Sequence, residues 1–308
     1  MQLSKFIKVL LYFTLMLGFL SCEKEVSYRF KESAPKLVIE GAIENDMPPI
    51  VKLSNSMDFL GVFNFEDIEE FFIHDAHIEV SDGNRTVVLK EYLAPSFPGF
   101  PSFYFYSVDS SNTEDLSFVG ELGKSYTLKI KIGADTYESI THIPYPKAFD
   151  SIWVQKPLPD FQPEDFEEAR EIMARYTDPD TIGNSYRIFT SINNGPFLPP
   201  RSSVISDELG NGTTLDISIA PGHIPGDTTS FERRRYYEIN DEVSIKWSAI
   251  DQTTYKFYNT LEYSMLTIGN PFAAPVKVNS NIKGENVLGI WAGYGTSLYD
   301  ITVEDLEP

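Results

Sequence analysis

From Lys36 onward the chain alternates apolar and polar residues with a period of two, in short runs closed by turn residues. Leu37, Ile39 and Gly41 alternate with Val38, Glu40 and Ala42. Pro48-Pro49 then break the chain before Ile50-Val51-Lys52-Leu53-Ser54. Successive side chains of a strand point to opposite faces, so this pattern specifies half-buried sheet. Ile78-Glu79-Val80 and Thr86-Val87-Val88-Leu89 flank Ser81-Asp82-Gly83-Asn84-Arg85. That is a hairpin whose Asp-Gly turn uses the freedom of glycine at positive φ. Residues 103–108, which begin with alternating Phe and Tyr, read as a strand after a Pro-rich loop. Residues 125–132 and 136–143 flank Gly133-Ala134-Asp135 as a second hairpin. Strands at this spacing predict a sandwich of about seven strands, Ig-like or transthyretin-like, over residues 36–146. Pro144-Tyr145-Pro146 closes it.

Residues 147–308 read as a second β-rich unit. Strands are expected at 149–154, 186–193, 214–220, 242–250, 276–282, 287–293 and 297–303. The segment 160–176 is ambiguous. Phe166-Glu167-Glu168-Ala169-Arg170-Glu171-Ile172-Met173-Ala174-Arg175 has high helix propensity, yet Ile172, Ala174 and Tyr176 also alternate. Between Asp251 and Gly269 the period changes to three- and four-residue steps through Tyr255, Tyr258, Leu261, Glu262, Met265 and Leu266. Asp251 is placed to cap the start and Gly269 the end, so one helix is predicted near 251–268.

The first 22 residues read as an address. Lys5 and Lys8 precede an apolar stretch at 9–20, about 18 Å long as a helix and too short for a hydrocarbon core of roughly 30 Å. It is expected to be a signal-peptide core within residues 1–21. Phe19-Leu20-Ser21-Cys22 resembles a lipobox, with Phe19 where Leu is usual. On that reading the Cys22 thiol is acylated, and residues 22–35 form a tether between the lipid and the first strand. Several acyl chains anchor stably, at about 0.8 kcal/mol for each buried CH₂.

Composition narrows the partners. Lys and Arg number 25 against 45 Asp and Glu, a net charge of −20. Phosphate backbones are held by clustered cations, so nucleic acid is not an expected partner. One cysteine in the whole chain excludes an internal disulfide.

Several short segments, taken in order, carry a family resemblance. Pro35-Lys36-Leu37-Val38-Ile39-Glu40-Gly41 comes first, then Thr177-Asp178-Pro179 and Asn184-Ser185-Tyr186-Arg187-Ile188, then Asn240-Asp241-Glu242-Val243. Tyr255-Lys256-Phe257-Tyr258-Asn259-Thr260-Leu261, Asn270-Pro271-Phe272-Ala273-Ala274-Pro275, Ser280-Asn281-Ile282-Lys283-Gly284 and Gly289-Ile290-Trp291-Ala292-Gly293-Tyr294 follow. Over roughly residues 20–305 the chain resembles domain-of-unknown-function family 4249. Lys283-Gly284 stands where members often have Gly-Gly, and Asn240-Asp241 where they often have Gly-Asp. The resemblance implies a lipoprotein of Bacteroidota, often encoded beside TonB-dependent outer-membrane receptors, with no established activity and no catalytic residues to transfer. It also implies a strand before Asp178-Pro179. Glu23-Lys24-Glu25 after the cysteine resembles a surface-export signal of such lipoproteins.

Chemistry-bearing motifs are sparse. His74-Asp75-Ala76-His77 lacks the Glu and the spacing of a zinc-protease helix, and no Gly-x-Ser-x-Gly turn is present. Acids cluster at Glu66, Asp67, Glu69 and Glu70 and at Glu164, Asp165, Glu167 and Glu168; solvated loops, calcium sites and catalytic pairs all remain readings of them. Asp178-Pro179-Asp180 and Asp207-Glu208 are similar, weaker candidates. Arg233-Arg234-Arg235 is a basic run suited to a solvated loop or to an acidic receptor loop. Phe97, Phe100, Phe103 and Tyr104 lie in or beside a Pro-rich loop, where they either stack on a glycan or peptide ligand or plug the end of the first sandwich. Trp153, Trp247 and Trp291 are expected in the core. The functional expectation is an outer-membrane, surface-facing lipoprotein, an accessory or ligand-binding part of a TonB-dependent uptake system without cofactor or metal. A carboxylate-based surface hydrolase and an adhesive module are the alternatives.

Overall fold

The computed structural model describes residues 35–56, 69–96, 101–158, 168–208, 210–223, 233–270, 272–274 and 276–305. They are mainly β, as the period-two pattern requires. The strands are β1 (Leu37–Glu44), β2 (Ile50–Asn55), β3 (His77–Ser81), β4 (Thr86–Val88), β5 (Lys90–Ala94), β6 (Phe103–Ser107), β7 (Ser125–Ile132) and β8 (Asp135–His142). They continue with β9 (Ser151–Gln155), β10 (Glu171–Thr177), β11 (Ser185–Ile192), β12 (Val204–Ser206), β13 (Thr214–Ile219) and β14 (Glu242–Ile250). A single helical turn at Thr113–Leu116 follows β6, and the long helix, α1 (Gln252–Leu266), and the 16-residue strand β15 (Val287–Thr302) follow β14.

Eight strands form one sheet in the order β12-β11-β14-β15-β1-β2-β6-β5. Its centre is β15, and the two halves of that strand have different partners. Val287 to Tyr294 run parallel to β1, and Gly295 to Thr302 run antiparallel to β14. Two smaller sheets, β4-β3-β7-β8 and β13-β10-β9, cover one face. Side-chain alternation explains how one strand serves both. Trp291 enters the core between the four-stranded sheet and β1-β2, while Tyr299 and Ile301 pack in the core beneath the three-stranded sheet. Ile290, Ala292 and Tyr294 point the other way and bury Phe257 and Tyr258 of α1. Two sandwiches therefore share one strand. Residues beyond 146 complete the first of them, because Ile282 and Trp291 sit in its core.

Each core centres on a tryptophan with no solvent exposure. Trp291 donates its indole N–H to the Tyr126 carbonyl at 2.9 Å, and Trp247 donates to the Lys147 carbonyl at 2.9 Å. Tyr186 stacks on Trp247 with ring centroids 4.2 Å apart. Gly41 in β1 leaves room for the Trp291 indole, because a Cβ there would lie 2.7 Å from the ring. Trp153 differs from expectation and is half-buried. It lies on β9, an outer strand of the three-stranded sheet, under the Arg175 guanidinium at 5.8 Å.

Local chemistry sets the turns and the helix ends. Asp82 accepts from the N–H groups of Asn84 and Arg85 at 2.9 and 2.7 Å, closing the β3–β4 hairpin. Asp251 caps α1 by accepting from the Thr254 N–H at 2.7 Å. The segment before Asp178 is strand β10, since Ile172, Ala174 and Tyr176 fill a core that a helical period would not reach. Two expectations change near the end of the chain. The strands expected at 287–293 and 297–303 are one continuous strand, and 276–282 is not a strand. Asn281 pairs with the Trp291 backbone through its side-chain amide, at 2.8 and 2.9 Å, while Lys283 pairs with Glu138 of β8. The segment thus crosses between sheets instead of extending either.

The crossing of β15 by the chain leaving β8 requires side-chain-free positions. A Cβ on Gly295 would lie 1.8 Å from the Pro144 carbonyl oxygen. Gly295→Ala is expected to cost at least about 2 kcal/mol of stability, because backbone must move to accept it. Gly83→Ala meets no neighbour and pays only for its positive φ, about 1 kcal/mol. Urea unfolding of both variants, followed by tryptophan fluorescence, tests the difference; similar losses would contradict the close approach.

Candidate ligand-binding cleft

Cys22, Phe97 and Phe100 lie outside the described residues, as do Glu66, Asp67, Glu164, Asp165 and Glu167. Phe103 and Tyr104 are adjacent on β6 and project to opposite faces. Phe103 stands beside Phe105, with the Lys52 ammonium 5.2 Å from its ring. Tyr104 meets His74 edge-on at 4.6 Å and donates to Glu69 at 3.1 Å. That carboxylate raises the Tyr104 phenol above its ordinary range. The two rings do not converge on one surface.

The two neighbouring histidines also part company. His74 bonds Glu91, and His77 bonds Glu79 at 2.9 Å. Asp178 is taken up by the Tyr176 hydroxyl at 2.8 Å and the Gly212 N–H at 3.1 Å. Asp207 accepts from the N–H groups of Gly183 and Asn184 at 2.7 and 2.9 Å. These carboxylates fasten loops to strands. Arg233, Arg234 and Arg235 form a 3₁₀ turn on the wall of a cavity of about 810 Å³, together with Arg201 and His223.

A second cavity, of about 420 Å³, joins an apolar wall to a single fixed cation. It lies between α1 and the β1–β15 pair. Phe257 and Leu261 come from the helix, Val278 from the segment before β15, Leu288 and Ile290 from β15, and Arg187 from β11. Local sequence explains each placement. Phe257 and Leu261 are four apart and share a helix face, while Ile290 is on the helix-facing side of β15. Arg187 lies on the same side of the sheet, between Tyr186 and Ile188, which fill the opposite core.

Arg187 is only 8% exposed. Its Nε donates to Ser203 Oγ at 3.0 Å and its Nη1 to the Tyr294 hydroxyl at 2.9 Å. Tyr294 donates in turn to Tyr258 at 3.2 Å. The guanidinium carbon is 3.3 Å from the centroid of the Tyr258 ring and 4.6 Å from that of Phe189. Burial opposes the charge, but Tyr258, Tyr294 and Glu262 outweigh it and keep Arg187 protonated. Glu262 is linked through Ser203, whose hydroxyl donates to Oε1 and whose N–H donates to Oε2 at 3.0 Å. Burial raises the Glu262 carboxyl above its ordinary value, against the pull of those donors and of Arg187. At the rim, Glu40 pairs with Lys52 at 3.1 Å.

The sequence contained a signal for this site. Arg187 stands in Tyr186-Arg187-Ile188-Phe189, a strand apolar on both faces, where a cation needs partners from elsewhere. Those partners come from residues 203, 258, 262 and 294, and only the fold brings them together. Five segments that carry the family resemblance meet here, through Val38, Arg187, Tyr258, Ser280 and Ile290.

A family model described as Domain of unknown function (DUF4249) matches residues 23–299. No curated protein and no solved structure matches the chain.

The raised Glu262 carboxyl makes a pH prediction. Its folded pKa exceeds its unfolded value, so the folded state holds this proton more tightly, and the proton's contribution to stability fades as pH rises through the folded pKa. Glu262→Gln cannot titrate. The stability of the native chain relative to this variant is therefore expected to fall as pH rises from the ordinary carboxyl value of 4.5 towards neutrality. Parallel denaturant titrations from pH 4 upward check it; a constant or rising difference would contradict the burial of Glu262.

Proposed function

The chain belongs to the DUF4249 family, and from that premise we propose that it is a lipid-anchored binding protein of the outer membrane, serving a TonB-dependent uptake system. Acylation at Cys22 holds it to the membrane, residues 22–35 space it from the headgroups, and the Glu-Lys-Glu following the cysteine sends it to the cell exterior. The acidic body is repelled by anionic headgroups, which favours a protein held off the surface on its tether. The observation that carries binding, over an adhesive or hydrolytic role, is the cleft beneath α1. It is a concave apolar wall with one cation already fixed by four side chains, the form of a small-molecule site.

Two measurements test this. Labelled palmitate is expected to enter the native protein and not Cys22→Ala, which leaves the membrane fraction; an unlabelled native chain refutes the anchor. Affinity capture of the tagged protein from detergent-solubilised outer membranes is expected to bring down a TonB-dependent receptor at near-stoichiometric yield. Recovery of the lipoprotein alone refutes the receptor partnership.

A further inference from the structure

We propose that the cleft beneath α1 binds an apolar molecule carrying one carboxylate, with the acid group on Nη2 of Arg187 and the apolar body against Phe257, Leu261, Val278 and Ile290. This rests on the binding reading above and is independent of lipidation at Cys22.

The argument begins with the unspent valence of Arg187. A guanidinium has five N–H donors in a planar fork. Nε is committed to Ser203 and Nη1 contacts Tyr294, while Nη2 has no hydrogen-bond partner among the described residues. Tyr258 and Phe189 cover the guanidinium through ring contacts. The side chain is more than nine-tenths buried, and the cavity is where it remains open. Nη2 is not sealed off: it keeps access to the cavity, where an arriving carboxylate would meet it with a charge-assisted bond.

The charges around the site favour an anion. Glu262 is the acid nearest in the network; its charge acts on Arg187 through space, but it makes no direct hydrogen bond to the guanidinium, and both its oxygens are used by Ser203. Glu40 at the mouth is neutralised by Lys52. The rest of the wall specifies the ligand's body. Apart from the hydroxyls of Tyr258 and Ser280, the side chains here, Phe257, Leu261, Val278, Leu288 and Ile290, offer no hydrogen bond, so a sugar or a peptide would leave most of its polar groups unmet there. An apolar acid satisfies the cation and the wall together, whereas the matching alcohol satisfies only the wall.

Isothermal titration of the protein with decanoate, 1-decanol and decyltrimethylammonium tests this, each below its micellar concentration. Decanoate is expected to bind with one-to-one stoichiometry, at least tenfold more tightly than decanol, and the ammonium not at all. Arg187→Met is expected to weaken decanoate at least tenfold and to leave decanol unchanged. Leu261→Trp, which fills the cleft from a half-exposed helix position, is expected to abolish binding of both. Should Arg187→Met fail to fold, Leu261→Trp and the acid-to-alcohol ratio decide. Equal affinity for acid and alcohol, blocked by Leu261→Trp, overturns the role of Arg187 and leaves the cleft as a binding site. No binding of any probe, or binding indifferent to Leu261→Trp, overturns the cleft itself.

Discussion

Sixteen residues of a single strand hold two cores to one backbone. The first half of β15 is paired with β1 and the second half with β14, and among the described residues no other strand joins the two parts of the eight-stranded sheet. Because alternate side chains leave on opposite faces, the strand serves three packing partners at once: two small sheets on one side and a helix on the other. Most residues from Gly289 to Gly295 are therefore constrained twice, by a neighbour within the sheet and by a layer above or below it. Glycines stand where a third body, the chain leaving β8, passes too closely for any side chain.

The helix side of this arrangement explains how an arginine comes to be buried. A lone guanidinium loses a large hydration energy inside a protein, and an ion pair need not repay it. Here the compensation is distributed over a serine hydroxyl, a tyrosine hydroxyl and two ring faces, with a carboxylate one hydrogen bond further away. Distribution matters because no single partner saturates the fork. The cation stays charged and positioned while part of its bonding capacity faces an apolar cavity.

Strand-level features were legible in the sequence because they depend on neighbours a few residues apart. The Asp82-Gly83 hairpin, the Asp251 cap and β14 at 242–250 are of this kind. The fate of 276–282 was not legible, because its alternation is real while its partners, Trp291 and Ser139, lie in different sheets. Phe103 and Tyr104 illustrate the same limit at a candidate site. An aromatic run marks hydrophobic surface, but adjacency along a strand separates neighbouring rings instead of gathering them. Arg187 is the converse: one residue among apolar neighbours, whose meaning depends on four others supplied by distant elements.

The parallel pairing of β1 with β15 joins residues about 250 positions apart, and strand contacts of such long range are slow to form. Until residues 287–302 exist, β1 has a bare edge, the core around Tyr126 lacks its tryptophan, and β14 lacks its neighbour. A nascent chain of this design cannot complete either core until residues 287–302 have been made, so the strand that comes last in the order is the one that closes the fold.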